Sequence, residues 1–451
     1  MDVTLRALNR FGLGARVDEA RAIGSTREWL VSQLRGPAPD PVGAPALGEA
    51  AAVLLSFTEA QRSRDRNRVA EARAAIRDLQ TREVTAALAQ RVNTEAPFLE
   101  RLVAFWSNHL CVSVPAKPQV AALAGHYERT VVRPHVLGRF DELVLASAKH
   151  PAMLFYLDNF QSIGASSRAG RQAAGRGNAR GLNENYAREL LELHTVGVEG
   201  GYSQSDVEQL ARILTGWTIA GVGPQARAGE RVAFAFRPFL HEPGAKTVMG
   251  VRYPDAGARE GERVIRDLCA HPSTATFVAS KLVRHFVADD PPSAAVEKVA
   301  RTFRESDGDL REVATAVVDL EEGWMPENRK FRTPQDWLVA VLRAIRVSEV
   351  PPRMPRILAQ LRHALWAPTA PKGYGDTEGE WADPDALMNR AELARSLPRG
   401  IPDTGGLDPR LLLDVVDVDA TNPLPTLLSD ASIPARERVS LAIGGPAFQW
   451  R

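Results

Sequence analysis

A mainly α-helical fold is what this sequence predicts, a large multi-helix domain carrying one small β-hairpin insertion. Three observations lead there. Segments dominated by Ala, Leu, Glu and Arg, with apolar residues recurring every three or four positions, follow one another along almost the whole chain. Alternation of apolar and polar residues stands out in one place only, near 231–253. The 451 residues also exceed the roughly 250–300 at which a single core stops growing, so the helices are expected to divide into subdomains.

The expected organisation is an entry segment with a short helix over 1–48, a helical subdomain over 49–160, a Gly/Arg-rich flexible loop over 161–181, a central helical core over 182–366 that holds the hairpin, and a loop with C-terminal helices over 367–451. In order, the first helix is Thr26 to Leu34, closed by Gly36, and a Pro/Gly/Ala linker runs to Gly48. Ala, Arg and Glu dominate Glu49 to Thr94, where RSRDRNRVAEARAAIRDLQTREVTAALAQRV predicts one long charged helix with a solvated face. Pro97 opens PFLERLVAFWSNHL, whose Leu99, Leu102, Val103, Trp106 and Leu110 form an apolar stripe flanked by His109. A helix over Gln119 to Val132 is expected to break at Pro134, and Gly138 to Leu157 predicts a helix pair ending in Asp158 and Asn159.

Asn183 to Gly197, NENYARELLELHTVG, is the densest cluster of reactive side chains, and its composition predicts a helix stopped by Gly197. At about 100° per residue, Asn185, Glu189 and Glu192 share a polar face beside Arg188, while Ala187, Leu190, Leu191 and His194 share the opposite one. Glu189 and His194 are then about 140° apart, so a straight helix cannot aim both at one metal ion. After it, Ser203 and Asp206 predict a capped helix. Val232, Phe234 and Phe236 alternate, and KTVMGVRY follows HEPGA, which predicts the hairpin and puts His241, Glu242 and Lys246 on a connector. Helices resume from Gly261 to Leu365, Ala367 to Asp383 forms a Pro/Gly/aromatic loop that either closes as a lid or only connects helices, and the tail is helical in pieces.

Charge and composition narrow the function. A formal net charge of +1 with 25% charged residues gives no global reason to expect nucleic acid or an anionic membrane as partner. Cys111 and Cys269 stand in neither a CxxC nor a metal spacing. No run of 18 apolar residues exists, so no spanning helix is expected, and the N-terminus lacks the apolar region of an export signal, which makes a cytoplasmic location the default. HExxH, GxSxG, a Walker loop and GxGxxG after a strand are all missing, so the common protease, hydrolase, NTPase and dinucleotide assignments have no support.

The motifs RFGLGAR, FWSNHLCVS, HPAMLFYLDN, LNENYARELLELHTVGVEGGYSQSDVEQLARILTGWT, HEPGAKTVMG, HPSTATFVASKLVRHFV and PAFQWR, in that order, resemble the DUF1800 family of bacterial proteins over essentially the whole chain. The resemblance implies a mainly helical protein without an established reaction. It also implies an exported location as the alternative, and a sulfatase-like uncharacterised protein encoded alongside as a partner. In such relatives FWHNHF stands where this chain has FWSNHL, so Ser107 replaces a histidine and weakens a two-histidine metal site. The functional expectation is that His109, Asp158, Glu184, Glu189, His194 and His241, with Arg188 and Lys246, converge on one cleft around 183–197. There a His or Glu acts as general base, Arg188 or Lys246 holds an anionic or carbonyl group, and a divalent Zn, Mn or Fe ion is an open alternative. That chemistry is hydrolase-like. The rival is a non-catalytic binding or assembly protein in which the same residues form a structural network.

Overall fold

The computed structural model describes residues 2–175, 182–222, 230–398, 407–418 and 421–451. Helix dominates them, and the β structure is limited to two small two-stranded antiparallel sheets, so the protein is mainly α. No described helix is long and apolar enough to cross a membrane.

The long charged segment is two helices rather than one, Leu47–Ser63 and Arg66–Asn93. Arg64 turns into the left-handed region at φ 57, and the Asp65 carboxylate accepts from the Asn67 and Arg68 amides, which starts the second helix afresh. Nor is its surface wholly solvated. Glu83 is buried against Arg129 at 2.7 Å, and Arg91 donates to Gln335 at 2.8 Å.

Pro134 does not break its helix in the expected way. Pro118–Tyr127 continues through a π-turn at Glu128–Val132 into Arg133–His135. A proline donates no amide hydrogen and its ring crowds the carbonyl four residues back, and the wider π-turn relieves both demands. Glu128 in that turn is fully buried, 3.2 Å from Arg133 and 3.6 Å from Arg91, while Arg133 also holds Glu100 at 2.7 Å. These groups tie the Arg66–Asn93, Pro97–His109 and 118–135 helices together from inside.

The central stretch departs from a straight α-helix as well. Asn185–Glu189 is α-helical, and Leu190–His194 then widens into a second π-turn. Gly197 follows at φ +83, where an added Cβ would lie 2.8 Å from the Phe277 ring, so glycine serves both the turn and the packing. Ser203 and Asp206 form the expected capping box of Gln204–Leu214. Within the segment expected to be loop, Arg168–Ala174 is a helix capped by Ser167, while Arg176 and Arg180 lie outside the described residues.

Strand β1 (Trp217–Ala220) pairs with β2 (Ala233–Phe236), with Trp217 opposite Phe236. Strand β3 (Lys246–Val248) pairs with β4 (Val251–Tyr253) around Met249 and Gly250, whose φ values of 46° and 79° are those of a tight hairpin turn. The alternating Phe234/Phe236 run therefore finds its partner upstream. Trp217 offers it an edge-on aromatic contact with Phe234 at 5.0 Å, which KTVMGVRY, closed on itself, does not.

Candidate active site

A cavity of about 560 Å³ is formed where four segments meet. Its walls are the Pro97–His109 helix, the Pro272–Phe286 helix, the start of the Pro334–Ala344 helix and the loop from His363 to Thr377. The volume is that of a small-molecule site. The loop is fastened by Asn108, whose side-chain amide donates to the Tyr374 carbonyl and accepts from the Tyr374 amide, both at 2.8 Å. Gly373, at φ +81, makes that approach feasible, because a Cβ there would lie 2.5 Å from the Asn108 carbonyl oxygen.

Lys281 and His285 stand four residues apart on the Pro272–Phe286 helix and both line the cavity. His285 Nδ1 lies 2.6 Å from Asp376 Oδ2 on the loop. The carboxylate accepts the Nδ1 hydrogen, so Nε2 keeps its lone pair, with only a long 3.5 Å contact from Arg101 Nη1. Burial lowers the His285 pKa although Asp376 pulls the other way, and the ring is neutral near pH 7. Burial would raise the Asp376 carboxyl, but His285, Lys330 and Arg451 outweigh it and hold the group at about 2. Beside this pair, Arg101 meets Asp336 at 3.2 Å, Arg451 approaches Asp336 at 3.4 Å and Asp376 at 3.8 Å, and Lys330 donates to the Asp376 carbonyl at 2.5 Å.

Lys281 differs from these cations. Among the described residues its ammonium has no hydrogen bond or ion pair, and it lies 5.5 Å from the centre of the Phe277 ring. Burial pushes its pKa down to about 8. Cys111, also on the wall, is a thiol pushed up to about 12 by burial and bonded to the Pro371 carbonyl at 3.1 Å, so it is not a nucleophile near pH 7.

The residues singled out in the sequence are distributed over several places. His109 lines the cavity, with Nε2 on the His194 carbonyl at 3.3 Å and Nδ1 buried without a partner. His194 is buried behind it, its pKa brought down to about 3 by burial. Glu184, Arg188 and Glu192 form a partly exposed ladder with Gln204, Arg188 donating to the Gln204 side chain at 2.7 Å. Glu189 is half-buried, and burial followed by Glu192 raises its pKa. Asp158 pairs with Lys117 at 2.7 Å. His241 and Lys246 meet elsewhere, around Glu260. Of the eight, His109 alone is in the cavity wall.

The second cluster bears on metal binding. Among the described residues, His241, Asp255 and Glu260 have ligand atoms within 4.8 Å of one another, a donor set that suits a divalent cation by type. The Lys246 ammonium, however, is 3.2 Å from Glu260 Oε2 and 3.4 Å from His241 Nε2, while His241 Nδ1 donates to the Thr215 carbonyl at 2.9 Å. A protein cation thus already fills the place of a metal. In the FWSNHL segment, Ser107 donates to Glu128 at 3.0 Å, as does Trp366, so the residue in place of a histidine serves the buried carboxylate.

Sequence reasoning passed over Lys281, His285, Asp336 and Asp376. A signal existed for two of them, since SKLVRHF puts a lysine and a histidine four apart, on one face of a helix. Asp376 lies in the loop foreseen as a lid or connector, with nothing local to mark its partner.

Fold and cavity together define a mainly helical protein with a cavity of small-molecule size, one wall of which is the loop from His363 to Thr377. Residues 6–450 match DUF1800, described as a protein of unknown function, and the chain belongs to that family. No curated protein and no solved structure matches it.

Proposed function

We propose that the protein is an enzyme of hydrolase-like acid–base chemistry, acting in the 560 Å³ cavity on a small substrate that carries an anionic or carbonyl group. The observation that carries this reading is the Lys281–His285 pair on one helical face, the first without a counter-ion and the second held by Asp376. Asp376 fixes the imidazole so that Nε2 accepts a proton from the substrate or from an attacking water, and it stabilises the imidazolium that results. Lys281 receives the negative charge on the substrate oxygen. A buried cation with no partner is better solvated by such a charge than by the apolar wall, and the interaction grows as charge develops. The Arg101–Asp336 and Arg451–Asp376 pairs keep these groups in place without competing for the substrate.

A non-catalytic binding or assembly protein is the second reading. The buried cluster of His241, Lys246 and Glu260 supports it, since Lys246 and His241 both meet Glu260 Oε2 at 3.2 Å. Turnover of activated esters, amides, phosphate esters and 2-oxo acids by wild type, Asp376→Asn and Lys281→Met separates the two. Catalysis predicts turnover of at least one class that falls on the order of 100-fold or more in both variants while the fold is kept. Turnover that survives both substitutions, or its absence from every class, sinks the catalytic reading.

A further inference from the structure

A second cavity, of about 300 Å³, lies between the Val3–Arg10 helix, the segment 326–332 and the C-terminal residues. Five arginines line it, Arg6, Arg10, Arg329, Arg332 and Arg451, and among the described lining residues Asp417 is the one acidic side chain. Asp417 engages Arg6 at 3.4 Å, and Arg451 is turned to Asp336 and Asp376. Arg10 and Arg332, each 2% exposed, form no ion pair among the described residues. Arg10 donates to the Val287 carbonyl at 2.6 Å and leaves its buried Nε without a partner, and Arg332 reaches only the Phe448 carbonyl at 3.1 Å and Asn9 Oδ1 at 2.5 Å. Arg329 is exposed at the rim, its guanidinium 5.0 Å over the Trp450 ring.

Guanidiniums bonded to carbonyls in place of carboxylates leave positive charge poorly compensated in a low-dielectric wall, Arg10 with no carboxylate acting on it among the described residues and Arg332 with Asp336 only at longer range, and that is costly. Burial, and after it Arg451 and Arg6, hold the Arg10 pKa well below its ordinary value, in keeping with this excess. An anion entering the cavity would relieve it. Several guanidinium forks around one space favour an oxyanion with more than one negative charge, and the cavity is larger than such an ion alone. Trp450, Val416 and Val418 supply an apolar side for the remainder.

We propose that this second cavity binds a phosphate-bearing small molecule, with the phosphate held by Arg10, Arg332 and Arg329 and the organic part resting against Trp450. The site is independent of the chemistry assigned to the first cavity.

Titration calorimetry of the full chain with inorganic phosphate and with glycerol 3-phosphate, against sodium chloride and acetate at matched ionic strength, tests this. Saturable binding of one equivalent is expected, tighter for the ester, with at least tenfold loss in Arg332→Gln and in Arg329→Gln, the scale of one charge-assisted contact. Arg329 is exposed, so its variant keeps the fold even if Arg332→Gln does not. Arg188→Gln, outside the cavity, should bind as wild type. The proposal fails if phosphate gives no saturable heat beyond chloride, if acetate binds as tightly, if Arg329→Gln binds as wild type, or if Arg188→Gln loses as much.

Discussion

His285 Nδ1 and Asp376 Oδ2 are 2.6 Å apart, although one belongs to the Pro272–Phe286 helix and the other to a loop 91 residues further on. The contact joins the two walls of the main cavity and sets which imidazole nitrogen is left to act. In Asp376→Asn the ring loses the neighbour that favours its charged form, so the His285 titration midpoint should move further down from the wild-type value. Histidine NMR across a pH series reads this directly. An unmoved or raised midpoint would show that Asp376 does not govern the ring.

Lys281 should be a stability liability. Its folded pKa of about 8 lies below the unfolded value, so the native state holds the proton less well, and stability rises with pH between about 8 and 10.5. Lys281→Met should therefore be more stable than wild type at pH 7, by on the order of 1–3 kcal/mol after discounting for its opening to the cavity. The gain should shrink toward pH 10.5. Urea unfolding at pH 7 and pH 10 measures it, and a destabilised variant at pH 7 would mean that the ammonium has a partner.

His194 and His363 give the opposite end of the pH profile. Burial brings both down to about 3, so each is neutral in the fold while the unfolded chain takes up a proton below about 6.5. Their contribution is complete above the unfolded pKa and is lost as the pH falls toward 3. Between pH 7.5 and pH 5 each should remove about 2 kcal/mol of stability. Chemical unfolding across that range should show the decline, and a flat profile would contradict the buried neutral state.

Arg133→Met should be severely destabilising, because it leaves Glu100 and Glu128 buried with their main counter-ion gone. Removing one partner of such a pair costs about 3–5 kcal/mol. A thermal melt showing only a marginal drop would mean that Arg91 or water takes over the charge.

Gly373→Ala should loosen the loop over the cavity, since the new Cβ collides with the Asn108 carbonyl and the backbone sits at φ +81. A cost of about 1–3 kcal/mol is expected, together with faster amide exchange at Tyr374. Exchange at Tyr374 as slow as in wild type would show that the clamp tolerates the methyl group.

The sequence by itself determined the helical class, the Ser203–Asp206 cap, the left-handed turn at Gly197, three residues past the helix end at His194, and the placement of His109 toward an interior, because each rests on periodicity or on a contact a few residues long. It gave the dense polar stretch around 183–197 its prominence, but tertiary structure decided what those side chains meet. Two π-turns changed helix geometry that a uniform 100° step had assumed, the first of them accommodating Pro134. The pairing of β1 with β2 was settled by an aromatic contact from upstream. The main cavity needed four segments brought together, with Asn108 on Tyr374, Asp376 on His285 and Arg451 on Asp336 across wide separations in the chain. Such contacts leave no local pattern, since a carboxylate in a Gly-rich loop looks the same whether it faces water or a buried imidazole. That Lys281, unlike Arg101, Lys330 and Arg451 around it, is enclosed without a hydrogen bond or ion pair among the described residues is likewise a property of the walls, and only the fold supplies them.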